Sequence, residues 1–384
     1  GVLLGWPGSY GLVCDIGGSS MEFADLSEGR VGRRLTSALG PLKLREISGG
    51  KKAIKAHIRD TMGRLHDDMQ NERNMRLFLV GGSWRAIARI DMERRGYPMT
   101  VLHEYRMTAR RISRTADYIA KSDLAALRAR CGISESRMSL VPYAVLVLKE
   151  IMRTFKPKDV AVSSYGIREG MLYEQMPREL RERDPLIEAC RFAEDKDARL
   201  PGFGRLLYDF VEPLFPRAGW QRKRIIRAAC LLHDVSWRAH PDYRAEVTFD
   251  NATRANLGGL KHSERVMMGL ALSTRYSNKR PARYEPLYAL IDDAQAREAD
   301  ILGRAMRFGA MLWLDADRIP GKFKWNSKKR TLALRLDNAA RPLFGEVAQS
   351  RLKSLANVLD AELTVTFRDH QSGGFQQTHV VRDC

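Results

Sequence analysis

A glycine-rich loop near the start of the chain carries residue types that can hold a phosphate group. It spans Asp15–Glu22 (Asp-Ile-Gly-Gly-Ser-Ser-Met-Glu) and follows Gly11–Cys14, an apolar run with the pattern of a short buried strand. Glycine lets the backbone pass close to a ligand, and a concave set of backbone N–H groups binds phosphate. Asp15 can hold a divalent cation against that phosphate, while Ser20 and Glu22 add a hydroxyl donor and a second carboxylate. The motif therefore predicts a phosphate site, and a polar Gly-rich hairpin turn is the alternative that it leaves open.

Two further turns are expected beside this loop, because each follows a predicted strand. The strand at residues 77–80 ends in Gly81–Ser83, and a helix at residues 84–92 follows. A third strand, at residues 159–164, leads into Tyr165–Leu172. In an α/β sheet such turns gather at one edge, where ligands bind. The other elements predicted for this unit are a β-hairpin and a long helix, at residues 21–25 with 31–35 and at residues 51–71.

The order of these motifs resembles the exopolyphosphatase / guanosine pentaphosphate phosphohydrolase family. Asp15–Glu22 resembles the family's DIGGGSTE loop, Leu39–Leu44 its LGAVRL segment, and Gly81–Ser83 its GGT turn. Tyr165–Gly170 resembles its YGLREG segment. Order and spacing agree over roughly residues 1–172, and four motifs in order are a specific signal. The loop positions that match are Asp15, Gly17, Gly18, Ser20 and Glu22.

The resemblance implies an actin-like, ribonuclease H-type α/β lobe, followed by an all-helical HD-like domain and a small α/β C-terminal domain. We expect these at residues 1–174, 186–318 and 322–384, with a charged, proline-bracketed linker at residues 175–185. The resemblance also implies that water attacks the terminal phosphoryl group of inorganic polyphosphate or guanosine pentaphosphate, with Mg²⁺ as cofactor. Such phosphoryl transfer requires positioned phosphates, neutralised charge and an oriented nucleophile.

The same resemblance implies roles for individual residues. Asp15 would position the cation, and Glu22 would polarise or orient the attacking water. Arg168 would neutralise a phosphate or tie its loop to Glu169, and a surface pair at the start of a helix is the alternative. Lys43 matches a basic residue of the family, and whether it reaches the cleft is left open. The implied phosphate-binding residues are Gly17, Gly18, Ser19, Ser20, Gly81, Gly82, Ser83 and Arg168.

The sequence departs from the family pattern at three points. Ser19 replaces the third glycine of the loop, which would cost about 1 kcal/mol if its φ were positive. Met21 replaces a threonine and is expected to point to the core. The chain begins at Gly1, just upstream of the second of the two α/β halves of such proteins. We therefore expect the first half, with a catalytic Glu and a phosphate-binding Arg, to be absent, and this chain alone not to have full hydrolytic activity.

The composition favours a polyanionic partner. The 384-residue chain contains 65 Lys and Arg residues against 46 Asp and Glu, a formal net charge of +19. This charge attracts polyphosphate and nucleic acid alike, but nucleic acid is not the partner that the motifs indicate. No apolar run reaches 18 residues, so no membrane span is expected. Five separated cysteines without a CxxC pair indicate reduced thiols and a cytoplasmic location.

His233-Asp234 follows an apolar helix at residues 225–232 and is the pair that names HD phosphohydrolases. In those enzymes the pair ligates a divalent metal together with an earlier His and a later Asp. No His occurs at residues 200–205, where the earlier ligand is expected, and His240 and His262 are expected to be structural or solvent-facing. We expect a degenerate HD-like fold, with a working metal centre as the alternative.

The last segment changes from helical spacing to strand alternation. Strands are predicted at residues 322–325, 330–336 and 361–367, and a helix at residues 342–358. The tail, Asp369–Cys384, is predicted to form a turn and an exposed strand.

The leading hypothesis is an exopolyphosphatase-type phosphohydrolase that releases terminal phosphate from polyphosphate or guanosine pentaphosphate. The sequence does not separate these substrates, because the loop residues contact only phosphates. The alternative from another class is a catalytically incomplete polyphosphate- or polyanion-binding regulatory protein. An actin-like sugar kinase fits the carboxylates of the loop less well, and an HD nucleotide phosphohydrolase is disfavoured by the missing His. The resemblance is compatible with a homodimer.

Overall fold

The computed structural model describes residues 1–69, 75–313, 318–368 and 378–379. It divides into two compact units, Gly1–Pro185 with Gly258–Lys261 and Leu186–Leu257 with His262–Cys384. The first unit contains a six-stranded sheet, and the second combines helices with a four-stranded sheet. This is the α/β plus α composition that the sequence predicts. The division into three separate domains stays a prediction.

The sheet of the first unit has the strand order β3-β2-β1-β4-β6-β5. The strands are β1 (Gly11–Ile16), β2 (Met21–Ser27), β3 (Arg30–Ser37), β4 (Arg76–Val80), β5 (Tyr105–Met107) and β6 (Asp159–Val162). Strands β1, β4 and β6 are parallel neighbours, whereas β2, β3 and β5 pair antiparallel. The carboxyl ends of β1, β4 and β6 therefore meet at one edge, as the sequence predicts. We call this the carboxyl edge.

Helices of the first unit connect and cover these strands. They are α1 (Val2–Gly5), α2 (Pro41–Arg45), α3 (Gly50–Met69), α4 (Gly82–Arg94), α5 (Ala109–Lys121), α6 (Leu124–Cys131), α7 (Glu135–Met138), α8 (Val141–Phe155), α9 (Ile167–Gln175) and α10 (Arg178–Arg181).

The two faces of this sheet are covered differently. On one face Leu12, Cys14 and Ile16 pack with apolar residues of α3, α4, α5 and α8 in the larger core. On the opposite face Val13 packs with a smaller cluster that includes Trp6. Because side chains alternate along a strand, Asp15 lies on the face of Val13.

Most predicted elements of the first unit are present, with shifted ends. The β2–β3 hairpin turns at Glu28 and Gly29, whose φ values of 51° and 73° suit a two-residue hairpin turn. Helix α3 begins at Gly50 and ends at Met69, and the predicted continuation to Asn71 lies outside the described residues. The stretch at residues 175–185 is not a plain linker, because it contains α10, which begins directly after Pro177.

The second unit contains eight α-helices and four strands within its described residues. The helices are α11 (Pro185–Asp197), α12 (Phe203–Val211), α13 (Trp220–Leu232), α14 (Arg244–Arg254), α15 (His262–Tyr276), α16 (Glu285–Tyr288), α17 (Asp293–Gly309) and α18 (Glu346–Leu359). Short 3₁₀ segments occur at Glu212–Leu214, Pro241–Tyr243, Ala282–Tyr284 and Asn338–Leu343. The strands are β7 (Gly321–Asn326), β8 (Thr331–Asp337), β9 (Glu362–Arg368) and β10 (Thr378–His379), in the order β10-β9-β8-β7.

Proline positions explain the main differences from the predicted elements of this unit. The helix predicted to start at Pro342 begins only at Glu346, and Pro342 lies in a 3₁₀ segment. Within β8, Leu332, Leu334 and Leu336 are buried as their alternation predicts. The turn predicted at residues 372–374 lies outside the described residues. In the described part of the chain, no helix combines the length and apolarity that a membrane crossing requires.

Candidate functional site

Two carboxylates lie directly opposite each other at the carboxyl edge. Asp15 in β1 pairs with Glu22 in β2 in the antiparallel register, and both residues are half-buried. Residues opposite each other on neighbouring strands share a face, and two like charges in that position repel. Burial raises the pKa of Asp15, and the charge of Glu22 raises it further, while Arg85 opposes the shift. This carboxylate pair (Asp15 and Glu22) is the most negative feature of the site.

The loop between β1 and β2 is narrow because its backbone closes on itself. The Gly17 N–H donates to the Ser20 carbonyl oxygen at 3.0 Å, and Gly17, Gly18 and Ser19 are exposed. None of these three residues has a positive φ. The strain considered for Ser19 is therefore absent, and the glycines are not needed for left-handed backbone here.

The glycines around this loop are needed because neighbouring atoms lie too close for a Cβ, and not because of a positive φ. A Cβ at Gly18 would lie 2.9 Å from Leu42 Cδ1, and the Leu42 N–H donates to the Gly18 carbonyl at 2.8 Å. A Cβ at Gly40 would overlap the backbone of Ser19 and Ser20. The segment before α2 thus supports the loop from behind.

The second glycine turn abuts the carboxylate pair. Gly81 has a φ of +111°, and a Cβ there would lie 2.5 Å from the Ile16 carbonyl oxygen and 3.0 Å from Asp15 Oδ1. Helix α4 begins at Gly82, two residues earlier than predicted, so Gly82 and the buried Ser83 occupy its first turn. The first backbone N–H groups of a helix have no partner within the helix and attract anions.

The third turn places Glu169 and Arg168 differently from the expectation. The Gly166 N–H donates to Glu169 Oε2 at 2.7 Å, which caps α9 and lowers the pKa of Glu169. Arg168 is exposed and forms no ion pair with Glu169 in the described structure. Arg168 therefore does not tie its loop to Glu169, and its side chain faces solvent near the turn.

Two arginines that the sequence did not single out also lie at these turns. A Cβ built on Gly166 would lie 3.8 Å from Arg85 Nη2 of α4. A Cβ built on Gly82 would lie 2.8 Å from the guanidinium of Arg137. Burial lowers the pKa of Arg85, the positive charge of Arg137 lowers it further, and Glu169 opposes the shift. Arg85 Nε is buried and has no hydrogen-bond partner among the described residues.

Only Arg85 of these two arginines could have been predicted from the sequence as part of the site. Arg85 follows Ser83 by two residues, so it could have been included with the second turn. Arg137 lies in the short helix α7, more than 50 residues further along the chain, and no local motif links it to Gly82. Lys43, which the sequence left open, pairs with Glu46 at 3.1 Å, and both side chains are exposed. Lys43 is a surface ion pair partner.

The His233-Asp234 pair of the second unit is engaged in structural contacts. His233 Nδ1–H donates to the Cys230 carbonyl oxygen at 2.8 Å, and burial lowers the pKa of His233 to about 3. Asp234 accepts from Arg199 Nε and Nη2 at 2.8 and 2.6 Å and lies 3.7 Å from Arg275. Among the described residues, no group of three or more His, Cys, Asp or Glu is arranged to hold a metal. The degenerate HD-like fold stays a prediction.

Comparison with known families covers most of the chain. Residues 2–179 match the Ppx/GppA phosphatase family, and residues 197–366 match the family described as "Exopolyphosphatase, C-terminal". The chain belongs to the Ppx/GppA phosphatase family.

Individual relatives of this Ppx/GppA family member are distant. Retrograde regulation protein 2 of Saccharomyces cerevisiae is 26% identical over 248 residues, which are 61% of this chain and 41% of that protein. The chain therefore spans less than half the length of this curated relative. The exopolyphosphatase structure from Cytophaga hutchinsonii is 19% identical, with a TM-score of 0.41, and the match covers 45% of this chain and 59% of that one. The structure of the Aquifex aeolicus Ppx/GppA phosphatase is 17% identical, with a TM-score of 0.39, and the match covers 44% of this chain and 58% of that one.

The carboxylate pair fits a divalent metal ion, and Ppx/GppA family phosphatases are generally metal-dependent. Carboxylate oxygens suit Mg²⁺, which usually binds one or two protein carboxylates and completes its shell with water and substrate phosphates. Burial and the charge of Glu22 both raise the pKa of Asp15, and a dication held by these carboxylates would offset the repulsion between them. The donor set is therefore suitable for a hard cation at the carboxyl edge.

Proposed function

We propose that this chain carries the phosphate-binding site of a phosphohydrolase that releases terminal phosphate from inorganic polyphosphate or guanosine pentaphosphate. The observation that carries the proposal is the convergence of Asp15, Glu22 and three glycine turns at one sheet edge. Family membership supports a phosphatase. In this proposal the six-stranded sheet is an actin-like, ribonuclease H-type lobe.

Phosphate oxygens would be held by backbone N–H groups and by hydroxyls. The loop at Gly17–Ser20 and the first turn of α4 at Gly82 and Ser83 supply these donors. Arg85, Arg137 and Arg168 add positive charge beside the turns, which offsets the charge of consecutive phosphates. The chain positions the polyanion before any bond changes.

Glu22 would orient the attacking water, and Asp15 together with Glu22 would hold Mg²⁺. When bound, the ion supplies charge neutralisation at the phosphoryl oxygens. Glu22 suits its role because it projects from the same face as Asp15, next to the loop that holds the phosphates. Orienting water requires only a hydrogen-bond acceptor within reach of it.

The second unit is proposed to contain the HD-like helical domain, at residues 186–318, and the small α/β domain, at residues 322–384. We also propose a reducing, cytoplasmic environment. Cys14, Cys131 and Cys230 are free thiols, and burial raises the pKa of Cys14 and Cys230. A homodimer stays a prediction from the family resemblance.

A second candidate function is polyanion binding in a regulatory protein without turnover. It is favoured by the similarity to a curated relative whose name describes regulation. The arginines and turns would serve this function equally well, because binding requires no oriented water.

Phosphate release from long-chain polyphosphate with Mg²⁺ separates the two functions. We would test the chain and a version extended to the start codon of its reading frame, each with Glu22→Gln and with Asp60→Asn, an exposed control on α3. A hydrolase predicts release that Glu22→Gln lowers by about 100-fold or more and Asp60→Asn leaves unchanged. Salt-sensitive binding without release in either version would refute the hydrolase and leave the regulatory function.

A further inference from the structure

A trough lies on the outer side of the first unit, away from the face that carries Asp15 and Glu22. Helix α8 packs against both α3 and α5. A cavity lined by residues of these three helices has a volume of about 1070 Å³. The α8 residues that line it run from Pro142 to Arg153, which corresponds to about 16 Å of helix, or three turns. We call this space the α8 trough.

The floor of the α8 trough is apolar. Ile54 and Ile58 of α3, Ile119 of α5 and Val145 of α8 line it as buried side chains. The apolar side chains that are partly exposed there are Ile47, Tyr143 and Leu146. Apolar surface that faces solvent in a concave site is a place where a ligand gains free energy by covering it.

The rim of the α8 trough carries unpaired positive charge. Lys51, Lys55 and Arg59 lie four residues apart on α3, so they form one row along the helix, and Arg45 adds a fourth cation. None of these four side chains has an ion-pair partner in the part of the chain that the structure describes. On the α8 side, Lys149 lies 3.8 Å from Asp117. Like charges at this spacing repel one another, and an acidic partner would relieve the repulsion.

We propose that the α8 trough binds an amphipathic helix with acidic flanks, supplied by another protein. The apolar face of such a helix would cover the floor, and carboxylates four residues apart would match the spacing of Lys51, Lys55 and Arg59. Three turns are enough for one such face. Inorganic polyphosphate would pair with the rim but has no apolar part with which to cover Leu146. The proposal is independent of the phosphate site, because Asp15 lies on the opposite face of the sheet.

The test measures binding of a designed, labelled peptide of about 15 residues by fluorescence anisotropy. Its leucines occupy one helical face and its glutamates flank them, and a scrambled peptide of equal composition serves as the reference. The amphipathic peptide is expected to bind at least about tenfold more tightly than the scrambled one. Lys55→Glu with Arg59→Glu, and separately Leu146→Glu, should each weaken binding by about tenfold or more.

Lys52→Glu is the matched control, because Lys52 is exposed on the same helix and does not line the trough. It should leave the affinity unchanged, and the melting temperatures of all variants are measured so that a fold defect is recognised. Equal binding of the two peptides would overturn the proposal, as would equal losses with Lys52→Glu and with the double variant. Binding to anionic lipid vesicles without binding to the peptide would also overturn it, in favour of a membrane surface.

Discussion

At the scale of residues, Asp15 and Glu22 were the candidate site carboxylates that the sequence predicted. The loop motif and the family resemblance predicted a cation-binding Asp15 and a water-orienting Glu22, but not that the two side chains share a face. The register places them opposite each other, while their roles stay predictions. The sequence could not show why the neighbouring glycines are needed, since Gly18 and Gly40 serve close packing and not a special φ.

At Gly40, replacement by Ala is expected to disturb the phosphate loop. The added Cβ would overlap the backbone of Ser19 and Ser20, which cannot move aside as a flexible side chain would. We expect Gly40→Ala to lower the free energy of unfolding by about 1–3 kcal/mol and to weaken polyphosphate binding. Urea unfolding with a binding titration measures both effects.

The control for this prediction is Gly63→Ala in the middle of α3. Gly63 is exposed and has no atom within 4 Å of its Cβ position. The substitution should raise the free energy of unfolding by about 0.5–1 kcal/mol, because Ala favours helix over Gly. Equal effects of Gly40→Ala and Gly63→Ala would show that Gly40 does not support the loop.

The buried His233 is expected to make the stability of the second unit depend on pH. Its pKa is about 3 when folded and about 6.5 when unfolded, so the unfolded state binds more protons between these values. The associated stability is present above pH 6.5 and is lost as the pH falls below it. We expect the melting temperature of the wild type to fall more steeply from pH 7 to pH 5 than that of His233→Asn. Asn can still donate to the Cys230 carbonyl, so parallel pH curves would contradict a neutral, buried His233.

At the scale of elements, the sequence patterns located five of the six strands of the first sheet but not all of the site. Alternating and helical periods located β1, β2, β3, β4 and β6 with helices α3 and α4, and the rule for parallel strands brought the turns of β1, β4 and β6 together. The position of α7 depends on tertiary packing, so Arg137 could not be connected with Gly82 from the sequence. The predicted ends of helices differ from the observed ones mainly at prolines and at the first turn of α4.

The arginines contributed by α4 and α7 are expected to set the affinity for polyanions. Arg85→Gln and Arg137→Gln should each weaken polyphosphate binding and reduce the dependence of log Kd on log salt, because fewer phosphate charges are neutralised. Arg110→Gln, on the exposed face of α5, is the control and should change neither quantity. Titrations at several salt concentrations measure the slope. A loss of affinity that is identical for all three variants would indicate attraction by net charge alone.

At the scale of the whole molecule, net charge was informative about the class of partner and not about the location of its site. The charge of +19 predicted a polyanion, and the structure shows two separate places in the first unit where cations gather, the carboxyl edge and the α8 trough. Composition cannot distinguish them, because only the fold decides which cations lie beside glycine turns and which lie beside apolar side chains. The family assignment, by contrast, followed from four ordered motifs and is confirmed.

The most direct test of the central claim is the effect of Mg²⁺ on polyphosphate affinity, measured by calorimetry for the wild type and for Asp15→Asn with Glu22→Gln. Without Mg²⁺ the carboxylates repel the polyanion, so the double variant should bind at least as tightly as the wild type. With Mg²⁺ the wild type should gain affinity by about tenfold more than the double variant, because only the wild type can hold the ion against the phosphates. An equal gain in both proteins would contradict the account, since the carboxylate pair would then not be a metal-assisted phosphate site.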